Sequence, residues 1–346
     1  MSLTRQITGK AAEAGFDLAG IAPAGPAAHA KEFAAWLEKG FLADMQWMAR
    51  DPARRSSAAA LLEGAQSVIV LGLSYALPDP PPEIWNDPSR GRISRYAWGP
   101  DYHDRIQRML KDLERFIQKL APDSKNKIYV DTGPVLERDY ALMAGLGFIG
   151  RNSMLIHPKL GSMIFLGEII STLPVEFDEP LKLENPCGQC RRCMVQCPSQ
   201  AFAKPYVLDC NRCIAFHTIE SKEIIPPGIV ELMGNWIFGC DDCQTVCPWT
   251  KKHQPPNSHP FLKFDPETCC PPLLDLAGMD EKEFRRRFAG TPVQRLKLRG
   301  LLRNVCVALG NWGAPEAILA LEKLARHPEV LVRTQAEHIL TKKHEK

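Results

Sequence analysis

The sequence lacks any apolar run long enough to cross a lipid bilayer. Among its 346 residues, no hydrophobic stretch approaches the ~18 residues that a membrane-spanning helix needs. The amino terminus has no continuous apolar stretch of the kind found in secretory signal peptides. We therefore expect a cytoplasmic protein that does not bind membranes.

Acidic residues are missing from one long segment. The net charge is only +3, but residues 284–315 contain no Asp or Glu. The basic side chains of this segment are Arg285, Arg286, Arg287, Arg295, Lys297, Arg299 and Arg303. A solvated helix face is the simplest interpretation. Because a basic surface without acids attracts polyanions, we favour a phosphate-binding surface.

Cysteine, in contrast, is abundant and clustered. Residues 187–198 follow the pattern C-x2-C-x2-C-x3-C-P, which holds [4Fe-4S] clusters in bacterial two-cluster ferredoxins. A shorter run, C-x2-C-x3-C-P, occupies residues 240–248. The sequence therefore predicts two [4Fe-4S] clusters and electron transfer.

The spacing also assigns most of the ligands. In such motifs the Cys that precedes Pro binds the other cluster. By this rule the first cluster takes Cys187, Cys190, Cys193 and Cys247. The second cluster takes Cys197, Cys240 and Cys243, and its last ligand is either Cys210 or Cys213.

A zinc ribbon built on Cys190, Cys193, Cys240 and Cys243 is the main alternative. Zinc would leave at least four nearby cysteines and both Cys-Pro pairs unexplained. A disulfide framework is disfavoured because the cysteines are clustered in a long chain. Outside the motifs, we expect Cys269, Cys270 and Cys306 to be structural.

Proline clusters and apolar periodicity divide the chain. Residues 1–180 are predicted to form an α/β (α+β) domain, with short apolar strands at 68–73, 128–130 and 163–166 and an amphipathic helix at 102–120. Residues 181–250 form a ferredoxin-like insert, and residues 251–279 a Pro-rich linker.

Residues 280–346 are predicted to form an all-α module. One helix is expected to stop at Gly310, a second to begin at Pro315 and a third at Glu329. Paired helices separated by Gly and Pro are typical of HEAT-type repeats. Only about one repeat fits, so we expect a small HEAT-like module.

Two further features bear on chemistry. Gly145, Gly147 and Gly150 match G-x-G-x-x-G, but the preceding residues have a helical pattern, so we reject a dinucleotide fold. These glycines are expected to allow close backbone approach. Asp131 follows a predicted strand, where α/β sheets place ligands, although it could equally cap the next helix. Burial near a large cofactor could raise its pKa and make it a proton donor.

Six segments, taken together, resemble epoxyqueuosine reductases. They occur in order over nearly the whole chain and are far more specific than the ferredoxin motif. They are SRYAWGPDYH at 94–103, VDTGPVLER at 130–138, AGLGFIGRNS at 144–153, LDCNRCI at 208–214, TIE at 218–220 and FGCDDCQTVCPW at 238–249.

The resemblance implies an oxidoreductase that reduces epoxyqueuosine to queuosine at the wobble position of tRNA anticodons, the last step of queuosine biosynthesis. It implies cobalamin in the 1–180 domain, two [4Fe-4S] clusters in the insert and tRNA held by the carboxyl-terminal helices. The implied partners are an anticodon stem-loop that carries epoxyqueuosine and an external low-potential electron donor. We expect a monomer.

The resemblance also implies roles for single positions. Asp131 would be the proton donor, and Cys213, rather than Cys210, the last ligand of the second cluster. Cobalamin contacts are implied at Arg55 (or its neighbour Arg54), Ser94, Asp131, Leu155, Leu166, Ala215 and Asp241. Contacts to tRNA phosphates would come from Arg295, Lys297, Arg299 and Arg303 of the acid-free segment.

The implied mechanism passes electrons from the clusters to cobalamin, while Asp131 protonates the leaving oxygen. One alternative is a corrinoid-dependent reductive dehalogenase of small organohalides, and another is an electron carrier without catalysis. The acid-free basic segment favours RNA over organohalides. A simple carrier would not need the roughly 180 residues that precede the clusters.

Overall fold

The computed structural model describes residues 2–252 and 262–344. Its α-helices are α1 (Leu3–Glu13), α2 (Ala30–Glu38), α3 (Pro52–Arg55), α4 (Pro82–Trp85), α5 (Tyr102–Leu120), α6 (Glu137–Met143), α7 (Arg192–Gln196), α8 (Pro227–Val230), α9 (Asp242–Thr245), α10 (Pro248–Lys252), α11 (Pro266–Cys269), α12 (Leu273–Ala277), α13 (Glu281–Arg287), α14 (Lys297–Trp312), α15 (Pro315–Leu324) and α16 (Val330–His344).

The strands are short, apart from two. They are β1 (Leu18–Pro23), β2 (Ser67–Ser74), β3 (Arg92–Ile93), β4 (Asn126–Tyr129), β5 (Phe148–Ile149), β6 (Leu155–Ile156), β7 (Ile164–Ser171), β8 (Phe202–Lys204), β9 (Val207–Leu208) and β10 (Trp236–Phe238). None of the described helices combines the length and apolar character that crossing a membrane requires.

The amino-terminal part is built on a four-stranded sheet with the order β1-β2-β7-β4. All its pairings are antiparallel, so the mixed fold is of the α+β kind. Every residue of β2 and β7 is buried, because α1 and α5 cover one face and α6 the other. Since the sheet is not parallel, the rule that places ligands at the carboxyl ends of parallel strands does not explain the position of Asp131.

The predicted regular elements of this part are confirmed. The apolar run at 68–73 lies within β2, and the amphipathic segment at 102–120 is α5. Helix α5 buries Ile106, Leu110, Leu113 and Ile117 at the spacing of one helix face. Gly147 lies where an added Cβ would be 2.6 Å from the carbonyl oxygen of Ile156, so close backbone approach is confirmed as well.

The cysteine-rich segment is tied to the amino-terminal part by a short parallel pairing of β10 with β3. Helices α7 and α9, which lie within the two cysteine runs, pack against each other. Helix α14 packs on β10, and the Asn304 side-chain amide donates to the carbonyl oxygen of Ile237 over 2.8 Å. One hydrophobic core therefore runs from α1 to α16.

The carboxyl-terminal helices α14, α15 and α16 pack against one another. The predicted stop at Gly310 is wrong: α14 continues to Trp312 and ends at Gly313, whose φ is +69°. Gly310 lies where α14 meets α16, and a Cβ there would be 2.3 Å from Ile339 Cγ2. Its lack of a side chain serves helix packing rather than helix termination.

Part of the segment expected to be a linker lies in the core. Residues 253–261, which include Pro255 and Pro256, are outside the described residues. After them, Leu262, Leu273 and Leu276 are fully buried. The interpretation of Cys269, Cys270 and Cys306 as structural is supported, because all three are buried as well.

Candidate functional site

The first thiol set consists of the four cysteines assigned by spacing to the first cluster: Cys187, Cys190, Cys193 and Cys247. All four are free of disulfides. Burial raises the pKa of Cys193, and the neighbouring thiols of Cys247, Cys187 and Cys190 raise it further. The distal Cys247 is thus brought to the three thiols of the first run.

The second thiol set consists of Cys197, Cys213, Cys240 and Cys243. Burial raises the pKa of Cys243, and the thiols of Cys213 and Cys197 add to this. Burial and the Asp242 carboxylate raise the pKa of Cys240, which also has Cys243 and Cys213 as neighbours. Cys213 is therefore close to the other three members.

Cys210 has a different environment. It packs with Met45 and Phe216, and burial raises its pKa to about 12. The thiols that act on Cys240 and Cys243 include that of Cys213 rather than that of Cys210, which favours Cys213 as the fourth member of the second set.

The two sets adjoin, because Cys193 of the first also raises the pKa of Cys243 in the second. Within the described parts of the chain, no three His, Cys, Asp or Glu side chains approach closely enough to share a single metal ion. Each set offers four thiols in a partly buried setting, which is the donor chemistry that [4Fe-4S] clusters require.

Asp131 lies immediately after β4 and has a left-handed backbone, with φ of +55°. Its Oδ2 is 3.2 Å from His103 Nε2, and His103 Nδ1 is 2.8 Å from Asp101 Oδ1. Arg295 Nη2 lies 3.0 Å from Asp101 Oδ2. The side chains thus form a continuous polar chain, with Asp131 at one end and half of its side chain (53%) exposed.

The two carboxylates and the Arg295 guanidinium act on the His103 imidazole in opposite directions, since Arg295 Nη2 lies 2.7 Å from His103 Nδ1. Burial acts to raise the pKa of Asp131, but the hydrogen bond and charge of His103 outweigh it and lower the pKa. Burial acts to lower the pKa of His103, but hydrogen bonds to Asp131 and Asp101 outweigh it and raise the pKa. Burial by the protein alone therefore does not raise the pKa of Asp131 overall, and the effect of a large cofactor beside it stays a prediction.

The Asp131 loop (residues 131–136) is fixed from two sides. The Asp131 N–H donates to Glu137 Oε1 over 2.6 Å. Arg55 Nη1 donates to the carbonyl oxygen of Gly133 over 3.3 Å. A Cβ on Gly133 would be 2.2 Å from Tyr129 Cδ1, so the loop packs closely on the end of β4. Asp131 does not cap α6, because its backbone donates to the first residue of that helix.

The other implied cobalamin positions differ in accessibility. Ser94 Oγ donates to Asp241 Oδ1 over 2.5 Å, and both residues are buried, so they brace each other. Leu155 and Leu166 lie in the core beside α6, whereas Ala215 is half-buried. Between them, Tyr96 has a pKa raised first by burial and then by Asp131, Glu220 and Asp241.

A buried hydroxyl without a partner lies in the same region. Ser153 Oγ has no hydrogen-bond partner among the described residues, and Ser153 has a φ of +62° in the turn before β6. Together with the half-exposed Asp131 carboxyl and the Arg55 guanidinium, it offers polar groups to a large ligand. The residues present fit a cofactor with amide side chains such as cobalamin.

The acid-free segment does not behave as one surface. Arg295, Lys297 and Arg299 are exposed, but Arg303 is only 1% exposed. Its guanidinium donates to the backbone carbonyl oxygens of Ser221, Glu223 and His217. A phosphate contact by Arg303 is therefore excluded, because its donors are already used inside the core.

Sequence reasoning missed three residues of the Asp131 site. His103, Asp101 and Glu137 lie inside segments 94–103 and 130–138, which carry the family resemblance. The only local signal for these residues is the sequence Asp-Tyr-His at 101–103, in which two polar residues flank an aromatic residue. The contact of His103 with Asp131 joins segments 28 residues apart, and that of Glu137 spans the turn between β4 and α6, so neither follows from local periodicity.

Family models match two parts of the chain. The model described as epoxyqueuosine reductase QueG, DUF1730, matches residues 55–132, and that of the 4Fe-4S double cluster binding domain matches residues 186–250. The second range contains all eight cysteines of the two thiol sets. This match supports a domain that binds two [4Fe-4S] clusters over the alternative of a zinc ribbon.

Named relatives and solved structures agree with these matches. The epoxyqueuosine reductase of Synechocystis sp. is 40% identical over 82% of this chain and 98% of its own. An epoxyqueuosine reductase solved with an epoxyqueuosine-modified tRNA-Tyr stem loop is 31% identical, with a TM-score of 0.89 over 96% of this chain and 88% of that one.

A further solved structure was captured with one loop displaced from its own active site. The Bacillus subtilis epoxyqueuosine reductase, solved with its catalytic aspartate loop swung out of the active site, is 30% identical, with a TM-score of 0.88 over 96% of this chain and 88% of its own. The motifs, the fold and the relatives converge over nearly the full length described. The chain therefore belongs to the epoxyqueuosine reductase family.

Proposed function

We propose that this protein reduces epoxyqueuosine to queuosine at the wobble position of a tRNA anticodon. The observation that carries the proposal is the polar chain of Asp131, His103 and Asp101 beside a double cluster domain. Loss of an epoxide oxygen as water consumes two electrons and two protons. The two thiol sets would hold the clusters that supply the electrons, and the Asp131 site would supply a proton.

The electron-carrying groups would be held by residues already described. The first and second thiol sets would each hold one [4Fe-4S] cluster. Arg55, Ser94, Asp131, Leu155, Leu166, Ala215 and Asp241 would line the cobalamin site. When bound, these cofactors supply the low-potential electrons that no side chain can provide.

The order of the two thiol sets supports a direction for electron flow. In the second set, Cys240 directly precedes Asp241, and Cys213 lies two residues before Ala215. Asp241 and Ala215 are both implied cobalamin contacts. An external donor would therefore approach the first set, and the second set would lie next to cobalamin.

The proton would be held between Asp131 and His103. The carboxylates of Asp131 and Asp101 raise the pKa of His103 and so favour its imidazolium form, against the opposing charge of Arg295. Asp131 presents its half-exposed carboxyl to the substrate and passes on the proton, and His103 restores it. Asp101 orients the ring, as the carboxylate of a catalytic triad orients its histidine.

The substrate would be positioned by phosphate contacts. Arg295, Lys297 and Arg299 are exposed, and Arg295 connects the basic segment to the Asp131 site through Asp101. We propose that helices of residues 280–346 form a single HEAT-like module with this role. Three such contacts predict a slope of about −2 to −3 for the logarithm of the binding constant against the logarithm of salt concentration.

Anaerobic reconstitution with iron, sulfide and cobalamin, followed by mass analysis of nucleosides from epoxyqueuosine-containing tRNA, tests the function. We expect queuosine from the wild-type protein. We expect none from the Asp131→Asn variant, which should retain the absorbance of both cofactor types. Near-normal turnover by this variant would remove Asp131 from its role, and a fully loaded wild-type protein that forms no queuosine would refute the function.

A further inference from the structure

Glu168 is a carboxylic acid in the middle of the central sheet. It lies on β7, opposite Val70 of β2 and Tyr129 of β4, and its exposed fraction is 0%. Neither of its carboxyl oxygens has a hydrogen-bond donor among the described residues. Burial of an unpaired carboxylate is very costly, so Glu168 is held in the protonated form.

The group beside Glu168 is a second carboxyl, that of Glu137 at the start of α6. Burial raises the pKa of both, to about 7 for Glu137, and each acts on the other. Two ionised carboxylates in contact repel, whereas one proton between them makes an O–H···O hydrogen bond. Because Glu137 also accepts the Asp131 N–H, the pair is directly connected to the Asp131 loop.

We propose that Glu137 and Glu168 share a proton and act as positioning residues that hold the Asp131 loop in place. This inference rests on the proposed function only in the role that it gives to Asp131. One carboxyl oxygen of Glu137 accepts a hydrogen bond from the Asp131 N–H. The contact between Glu137 and Glu168 then anchors the Glu137 side chain to the centre of the sheet.

The backbone of Asp131 explains why such an anchor is needed. A non-glycine residue with φ of +55° is in a sparsely populated conformation that persists only where its surroundings impose it. The B. subtilis relative with its catalytic aspartate loop swung out of the active site belongs to the same family. Loops of this family therefore occur in two positions, and Glu137 with Glu168 would favour the inward one here.

The pH dependence follows from the charges around the pair. Asp131 raises the pKa of both carboxyls, Arg138 lowers that of Glu137, and Arg55 lies close to Glu137. Because burial and mutual repulsion raise both pKa values, the pair holds its proton to a higher pH than an ordinary carboxyl group does. The hold on the loop is lost only as the pH rises through the higher of the two pKa values, where both groups ionise.

Amide hydrogen exchange on the cofactor-free protein tests the hold directly. We expect the Asp131 amide to exchange at least tenfold faster in Glu137→Ala than in the wild type. Glu137→Gln should restore protection, because its amide carbonyl can accept the same N–H while its NH2 donates to Glu168. Asp178→Asn is the matched control, since Asp178 accepts the Ile21 N–H at a distant site over 2.8 Å.

Infrared spectroscopy tests the shared proton even if Glu137→Ala fails to fold. The wild type should show the carbonyl band of a protonated carboxylic acid at pH 8, and Glu168→Gln should lose it. In loaded enzyme, Glu137→Ala should lower kcat at least tenfold with little change in KM for tRNA. The inference would be overturned by an unchanged exchange rate of the Asp131 amide in folded Glu137→Ala, or by the absence of the carboxylic acid band in the wild type. If exchange and infrared spectra were as expected but no queuosine formed, only the proposed function would be refuted.

Discussion

Removal of the buried guanidinium of Arg303 should destabilise the protein rather than affect RNA binding directly. Arg303 donates to the carbonyl oxygens of His217, Ser221 and Glu223 over 2.6–2.8 Å. His217 belongs to the π-helix Phe216–Glu220, which follows Cys213 of the second thiol set. The Arg303→Ala substitution would therefore loosen the segment that carries Cys213 and Ala215.

The magnitude follows from the groups left without partners. Three buried carbonyl oxygens lose charged donors, each at a cost of about 1–3 kcal/mol. Part of this is offset because burial of the guanidinium is itself unfavourable, as its pKa, lowered to about 10 by burial, shows. Loss of one partner from a buried charged network costs roughly 3–5 kcal/mol, a large part of the ~5–15 kcal/mol that stabilises most proteins.

Thermal unfolding of the cofactor-free chain, followed by circular dichroism, measures the effect. For 346 residues the entropy of unfolding is about 0.7 kcal/mol per kelvin, so we expect Tm to fall by about 4–7 °C. Arg299→Ala is the matched control, because Arg299 lies one turn earlier on α14 and is exposed. It should leave Tm within about 1 °C and reduce the salt dependence of tRNA binding by about one unit of slope.

The opposite pattern would refute this reasoning. If Arg303→Ala melted like the wild type but bound tRNA more weakly with a smaller salt slope, Arg303 would be a phosphate contact. Loss of Tm in Arg299→Ala would likewise mean that the two arginines have been assigned the wrong way round.

Three further predictions concern the proton chain, helix packing and the cluster ligands. His103→Gln should lower turnover about 10²-fold and abolish the decline of the wild-type rate as pH rises through the raised pKa of His103; a pH–rate profile that still declined would contradict the role. Because that pKa is raised, the stabilisation that His103 provides is full below its ordinary value of 6.5 and is lost at higher pH, which Tm measured against pH would show. Gly310→Ala should destabilise by about 1–3 kcal/mol because of the contact with Ile339, whereas Gly9→Ala, with open space around it, should stabilise α1 by about 0.5–1 kcal/mol; equal melting temperatures for both would contradict the packing argument. Cys213→Ser should lower the iron content of reconstituted protein by about half, whereas Cys210→Ser should leave it unchanged; a loss of iron in Cys210→Ser would exchange their roles.

The parts of the fold that were predictable from sequence are those with a local cause. Helix α5 has its apolar residues at helical spacing, and β2 is a short apolar run. The spacing of the cysteine motifs assigned seven thiols to the two sets, because clusters of this kind dictate that spacing, and left the choice between Cys210 and Cys213 open. In each case neighbours in sequence suffice, and no knowledge of distant contacts is needed.

The distinction between Arg299 and Arg303 was not predictable in this way. The two residues are four apart on α14 and so lie on the same side of the helix. Only the packing of residues 217–223 against that helix uses the donors of Arg303 and leaves Arg299 exposed. Charge counts over residues 284–315 could not separate a phosphate contact from a core arginine.

The Asp131 site shows why its chemistry was only partly visible in the sequence. Position alone does not make Asp131 functional, because the antiparallel sheet gives the end of β4 no special role. Separate segments supply its environment: His103 from α5 adjusts its charge, Glu137 from α6 holds its backbone, and Arg55 from α3 holds the loop. Substitutions at His103 and Glu137 should therefore change the rate and its pH dependence without loss of iron, whereas substitutions in the thiol sets should remove iron first. If both sets of variants behave in this way, His103 and Glu137 control the protonation and position of Asp131. If the His103 and Glu137 variants keep the wild-type rate and pH dependence, the Asp131 carboxyl acts alone.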